Sequence, residues 1–118
     1  MSRKGRHASH RLILVISADP MVLQERKILL QEHDFAVVTA SNLLEVISAC
    51  HSEFVAVILG SHLPMKEKSR IVTTVRESCK KGTPIFALYD ESVTEADNAD
   101  KPIKADDPEA LVRALNAI

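Results

Sequence analysis

The sequence predicts a single α/β domain with helices on both faces of a parallel sheet. Apolar segments rich in Val and Ile recur along the chain without alternating polar residues, which is typical of strands buried on both faces. Segments of helical length separate them, and 118 residues suffice for one hydrophobic core. The predicted strands are 12–16, 35–40, 54–59 and 84–88, with a short fifth strand around 98–103.

Capping residues and apolar spacing predict the helices. Asp19-Pro20 begins the first, with aspartate as the N-cap and proline at the first helical position. Asn42 begins the second. Asp107-Pro108-Glu109 begins the last. The apolar faces are predicted to be Leu43, Ile47 and Cys50 in the second helix, Ile71, Val72, Val75 and Cys79 in the third, and Leu111, Val112, Leu115 and Ile118 in the last.

The stretch between the fourth predicted strand and Lys101 is too short for a complete strand–helix unit. It holds twelve mostly polar and acidic residues, Tyr89 to Asp100. An ordinary helix, a buried strand and their connections need a longer segment. We therefore expect the helix before the fifth strand, the fourth of a complete set, to be shortened or missing, and the fifth strand to lie at the sheet edge.

The formal net charge of -1 conceals an uneven distribution of charge. Residues 1–18 carry four basic side chains and no acid, so the rest of the chain holds 11 basic and 16 acidic residues. Residues 1–10 are predicted to be a basic, disordered tail and residues 11–118 the folded domain. Four fixed charges, in a chain with few aromatic side chains, support only weak, salt-sensitive contacts with nucleic acid.

Neither a membrane span nor a disulfide is expected. No apolar run approaches the roughly 20 residues of a membrane helix, and the run at 12–16 is shorter than the core of a signal peptide. A cytoplasmic protein is the default prediction. Cys50 and Cys79 lie far apart in helical segments without nearby His or Cys partners, so we expect buried small apolar residues rather than a disulfide or metal pair.

From Arg11 to Ile118 the chain resembles bacterial response-regulator receiver domains. The similar segments are 14–20, 34–40, 57–64, 83–89 and 101–103, which match the family's strands and the loops that follow them. Segment 57–64 resembles the phosphoacceptor loop, including Pro64 four residues after the acceptor position. The resemblance implies a flavodoxin-like doubly wound sheet of about five strands in the order 2-1-3-4-5. It also implies a role in two-component signal transduction.

The resemblance further implies that the phosphorylation chemistry of the family is missing. Gly60 stands where the family carries its phosphoacceptor aspartate, and glycine has no nucleophilic side chain. The family's Mg²⁺-binding acid pair falls on Ser17 and Ala18, which leaves only Asp19 beside them, a poor set of ligands for this cation. The small hydroxyl residue of the family falls on Tyr89. Phosphoryl transfer to residue 60 is therefore excluded chemically.

Ligands of open α/β sheets bind beyond the carboxyl ends of the strands. There the sequence places the rim of a vestigial site, comprising Ser17, Ala18, Asp19, Gly60, Ser61, Tyr89 and Lys101. Two interpretations stay open: a surviving anion or metal pocket, or, as we favour, a cleft in which Lys101 pairs with Asp19. Ser61 or Ser17 would accept a phosphoryl group only with an activating base, and His62 is the one candidate nearby.

The sequence thus predicts a phosphorylation-independent, receiver-like protein-interaction module. Its partner would be another signalling protein, a kinase or a regulator, and no catalytic residue, metal or cofactor is predicted. The alternative is a sensor of a small ligand or anion that uses the rim around Asp19 and Lys101. Basic residues in 66–81 and acidic residues in 90–109 are either solvated faces or charges that steer a partner.

Overall fold

Five parallel strands form one sheet in the computed structural model, in the order β2-β1-β3-β4-β5. The structure describes residues 11–60, 63–79, 82–89, 101–104 and 107–118. The strands are β1 (Leu12–Ile16), β2 (Ala36–Ala40), β3 (Ala56–Leu59), β4 (Ile85–Tyr89) and β5 (Lys101–Lys104). The predicted sheet order is confirmed. The predicted tail, residues 1–10, and the shortened helix at 90–100 lie outside the described residues.

Four helices cover the sheet in the described part of the chain: α1 (Pro20–Glu32), α2 (Leu43–Ala49), α3 (Met65–Ser78) and α4 (Pro108–Asn116). Three begin at the predicted caps. The side chains of Asp19, Asn42 and Asp107 each accept a hydrogen bond from a backbone N–H in the first turn that follows. These bonds satisfy donors that have no acceptor within the helix. α3 instead follows Pro64 without a side-chain cap.

The core lies on both faces of the sheet. All of β3 and residues 13–16 of β1 are fully buried, which accounts for their continuous apolar sequences. One face packs against α2 and α3, mainly through Val46, Ile71, Val72 and Val75. The other packs against α1 and α4, mainly through Leu30, Leu111 and Leu115. The two central strands that lead to the candidate site are therefore held from both sides.

α2 buries a different face from the predicted one. Val46 is fully buried, whereas Ile47 is 45% exposed, so the stripe runs through Leu43, Val46 and Cys50. A helix of seven residues makes about two turns, so apolar residues at neighbouring positions fit two faces nearly equally well. The last predicted core position, Ile118, is also exposed because α4 has already ended.

Cys50 and Cys79 form a disulfide, with their Cα atoms 4.7 Å apart, so the expectation of two unpaired cysteines was wrong. Cys50 is the C-cap of α2 and Cys79 is the C-cap of α3. Both helices pack on the same face of the sheet and lead back to the amino ends of neighbouring strands. Topology therefore brings together two residues that are 29 positions apart in sequence.

Candidate functional site at the carboxyl edge of the sheet

The carboxyl ends of three adjacent strands bring together three of the predicted rim positions. Ser17 follows β1, Gly60 follows β3, and Tyr89 is the last residue of β4. The register pairs the ends of β1 and β3 directly, which places Ser17 beside Gly60. β4 continues the same edge: Leu59 of β3 pairs with Ala87 of β4, and Tyr89 lies two residues further along β4. This edge is the candidate site.

The backbones of β1 and β3 approach each other closely at Gly60. Its N–H donates to the carbonyl oxygen of Ile16 at 2.7 Å. A Cβ atom at position 60 would lie 2.9 Å from the Cβ of Ser17 and 3.0 Å from the Ile16 oxygen, both closer than ordinary van der Waals contact. Glycine is therefore the residue that this approach accommodates. The side chain of Ser17 fills the space that a side chain at position 60 would need.

The hydroxyl of Ser17 is committed to the turn between β1 and α1. Its Oγ accepts a hydrogen bond from the N–H of Asp19 at 3.2 Å, and the residue is fully buried. Its own N–H donates to the carbonyl oxygen of Ala40 at 3.1 Å. A buried, engaged hydroxyl is poorly placed to attack a phosphodonor. The geometry therefore does not support Ser17 as a substitute acceptor, and Ser61 and His62 lie outside the described residues.

Asp19 is likewise engaged in holding the helix. Its Oδ1 accepts from the N–H of Met21 at 2.9 Å, as the N-cap of α1. Ser17, Ala18 and Gly60 contribute no carboxylate, although Mg²⁺ prefers hard oxygen ligands in octahedral geometry. No group of three metal-ligating side chains occurs within the described ranges. The described residues at this edge therefore do not fit the magnesium ion that the receiver resemblance implies.

Lys101 lies away from the position expected for it. β5 begins at Lys101, which pairs with Phe86, and ends at Lys104, which pairs with Tyr89. The backbone of Lys101 is therefore three residues, about 10 Å, back from the carboxyl edge of the sheet. Two strands separate β5 from β1, or about 14 Å of sheet width. The backbone positions thus give no support to a site built from Asp19 and Lys101 together.

Lys68 is a buried cation near this edge, in a segment that sequence reasoning left open as a solvated basic face. It is only 5% exposed, and no ion pair of Lys68 is present among the residues that the structure describes. It lies one turn into α3, which starts at the candidate edge. The burial of Lys68 could have been predicted from the sequence. Lys68 precedes Ile71 and Val72 by three and four positions, so in a helix it lies on the same face as these two buried residues.

Solved structures share this fold along almost the whole chain. The chemotaxis protein CheY4 of Vibrio cholerae is 20% identical, with a TM-score of 0.76 over 92% of this chain and 98% of that chain. A two-component response regulator from Clostridium difficile is 20% identical, with a TM-score of 0.75 over 91% of this chain and 93% of that chain.

A third structure is the receiver domain of the sensor histidine kinase PA1611 from Pseudomonas aeruginosa PAO1, which holds a magnesium ion in its active-site cleft. It is 17% identical, with a TM-score of 0.75 over 91% of this chain and 95% of that chain. No protein-family model and no curated protein sequence matches the chain. At these identities the likeness establishes architecture: the chain has the α/β fold of response-regulator receiver domains.

Proposed function

We propose that this chain is a receiver-like protein-interaction module of two-component signal transduction that works without phosphorylation. The observation that carries the proposal is the packed contact between Ser17 and Gly60 at the carboxyl edge. Residue 60 has no nucleophile, and the space beside its Cα is filled by a buried serine. The neighbouring Asp19 caps α1. The edge is therefore a closed structural element rather than a phosphoacceptor site.

The signalling role is inferred from the fold, since several structures that share it are named as chemotaxis or two-component proteins. The proposed partner is another signalling protein, a kinase or a response regulator. No catalytic step or cofactor is assigned to the chain. Among the described helices none has the length and apolar character needed to cross a membrane. A cytoplasmic location remains part of the proposal.

The first test asks whether the chain responds to phosphorylation chemistry. The full chain would be incubated with acetyl phosphate and Mg²⁺, and separately with beryllofluoride and Mg²⁺, beside an active receiver domain as the control. We expect no covalent phosphate by intact mass and no change in thermal unfolding midpoint, because the described residues of the edge offer neither an open acceptor nor a set of metal ligands. Stoichiometric phosphate on any residue, Ser61 included, or stabilisation that requires Mg²⁺ would contradict the proposal.

The second test asks whether the folded surface binds a signalling protein. α2 exposes Leu44, which is 76% accessible, and α1 exposes Met21, which is 71% accessible, on the opposite face of the sheet. Replacing each by glutamate gives a matched pair of surface variants. We expect capture of a kinase or regulator by the wild-type chain, equally with and without a phosphodonor, and loss of capture in at most one variant. Capture that depends on a phosphodonor would argue against a phosphorylation-independent module.

A further inference from the structure

The Cys50–Cys79 disulfide lies at the opposite end of α3 from the candidate site. It joins the C-caps of α2 and α3, near the amino ends of the strands. We propose that this pair is a reversible redox site, oxidised in the clamped state seen here and reduced in a state in which the two helix ends are no longer joined. The proposal does not depend on the proposed signalling function, because it rests on the cysteines alone.

The two cysteine residues differ in how exposed they are. Cys79 is only 7% exposed, whereas Cys50 is half-buried and leads into the exposed residues 51–53. Both cysteines pack against the apolar cluster between the sheet and α2 and α3. An incoming thiol or disulfide therefore reaches the sulfur of Cys50 more readily than that of Cys79. This asymmetry assigns Cys50 the exchange step and Cys79 the resolving step.

The redox step balances with glutathione as co-reactant. On oxidation, the Cys50 thiolate attacks glutathione disulfide and forms a mixed disulfide, which releases one glutathione thiolate. The Cys79 thiolate then attacks the Cys50 sulfur and releases the second glutathione. The protein dithiol loses two electrons and two protons, and glutathione disulfide gains them as two molecules of glutathione. Reduction follows the same steps in reverse, with glutathione attacking the Cys50 sulfur.

The segment that the disulfide closes includes one residue of the candidate site, Gly60. Residues 51–78 contain β3, Gly60 and the whole of α3, so the covalent link restricts the part of the chain that leads into and out of the carboxyl edge. A closed loop of this length restricts the unfolded chain substantially. For a domain of this size, reduction is expected to lower the thermal midpoint by roughly 10–15 °C. The dithiol state is expected to keep the sheet, because aliphatic and aromatic side chains make up most of both cores and the cysteines stay apolar when reduced.

The test titrates the full chain with reduced and oxidised glutathione without denaturant, quenches the exchange with acid, and counts free thiols by maleimide labelling of the unfolded chain. We expect conversion between no labelled thiol and two, reversible in both directions, with the midpoint drop above in the reduced form. Hydrogen exchange should increase at the C-terminal turns of α2 and α3 in the reduced form and stay unchanged in α4. The control is the Cys50→Ala, Cys79→Ala double variant, which has no thiol to label and whose thermal midpoint and hydrogen exchange should not respond to glutathione.

Three results would overturn the proposal. A disulfide that persists in excess reduced glutathione without denaturant would be a fixed structural bond. A dithiol that stays reduced in excess glutathione disulfide would mean that the pair does not oxidise. Equal hydrogen exchange at α2 and α3 in both forms would mean that oxidation clamps nothing. None of these outcomes bears on the phosphodonor test, so failure of the redox site and failure of the proposed function remain distinguishable.

Discussion

Gly60→Ala is expected to destabilise the domain, although the change is small. The new Cβ would lie 2.9 Å from the Cβ of Ser17 and 3.0 Å from the Ile16 oxygen. β1 and β3 cannot separate easily, because cores on both faces hold them and Gly60 is hydrogen-bonded to β1. Overpacking of this kind costs about 1–3 kcal/mol. The lower entropy of the unfolded alanine chain offsets about 0.4–1 kcal/mol of that cost.

A second substitution separates steric contact from other effects of alanine at position 60. Ser17→Gly removes both Ser17 atoms that the new methyl group would meet, whereas Ser17→Ala removes the Oγ and keeps the Cβ at 2.9 Å. Both lose the hydrogen bond from the N–H of Asp19. The cost of Gly60→Ala in the Ser17→Gly background is the difference in unfolding free energy between the double variant and the Ser17→Gly single variant. This cost should be about 1 kcal/mol smaller than the cost of Gly60→Ala in the wild type. Ser17→Ala should recover little.

The assay is urea unfolding of the wild type, the three single variants and the two double variants. Gly60→Ala should lower the free energy of unfolding by about 1–2 kcal/mol after the entropic offset, with an unchanged slope against urea. The corresponding drop in thermal midpoint is roughly 4–8 °C for a domain of this size. A Gly60→Ala variant as stable as the wild type, or equal recovery by Ser17→Ala and Ser17→Gly, would refute the steric account of this position.

Three further predictions concern the elements around the site and are checked by the same unfolding measurements. Lys68→Ala should lower the free energy of unfolding by about 2 kcal/mol through loss of buried methylene groups. Lys66→Ala, at an exposed position, should change it by less than about 0.5 kcal/mol. Equal effects of the two substitutions would contradict the burial of Lys68. Val46→Ala should lower the free energy of unfolding by about 2 kcal/mol, and Ile47→Ala should lower it by less than half as much. A larger loss in Ile47→Ala would show that α2 buries the face first predicted, which includes Ile47. Asp19→Ala should lower the free energy of unfolding by about 1 kcal/mol because the N-cap hydrogen bond is lost. Asp19→Asn keeps an accepting side-chain oxygen and should be as stable as the wild type. A similar loss of stability in both variants would point to a role for the carboxylate charge.

The fold was predictable because its signals are local. The fully buried runs in β1 and β3 are continuous apolar sequences, and three helices begin at side chains that cap them. Each of these signals spans only a few residues and agrees with its neighbours. Their order along the chain then leaves few topologies for a parallel sheet. The order 2-1-3-4-5 could be inferred for this reason, and from the resemblance to receiver domains.

What the sequence left undetermined depends on contacts between distant segments or on the register of short elements. The disulfide needs Cys50 and Cys79 to end two helices at the same edge, which sequence separation alone conceals. The buried face of α2 turns on one position, Val46 rather than Ile47. The place of Lys101 depends on where a four-residue strand begins, and apolar patterning does not fix that start.

For the candidate site, too, the sequence predicted what depends on topology and not what depends on contacts between distant segments. That Ser17 and Gly60 would share one edge followed from topology, since both come directly after parallel strands. That Ser17 would contact Gly60 could not be inferred, because the contact depends on differences of a few tenths of an ångström in the distance between the two backbones. The hydrogen bond from the N–H of Asp19 to the Ser17 hydroxyl depends on such differences as well. Topology brings residues to the site, whereas atomic packing decides whether the site is open or filled.

The described residues at the carboxyl edge create little electrostatic demand for a cation. A cluster of carboxylates at such an edge would repel one another and require a counter-ion or protonation. Here the adjoining residues are a glycine and a serine, joined to β1 and α1 by backbone and hydroxyl hydrogen bonds. Asp19, the acid among the described residues of the edge, caps the N-terminus of α1, where the helix dipole favours a negative charge. The edge therefore supports β1, β3 and α1 through its own contacts, which agrees with the proposal that the module works without a bound ion or a phosphoryl group.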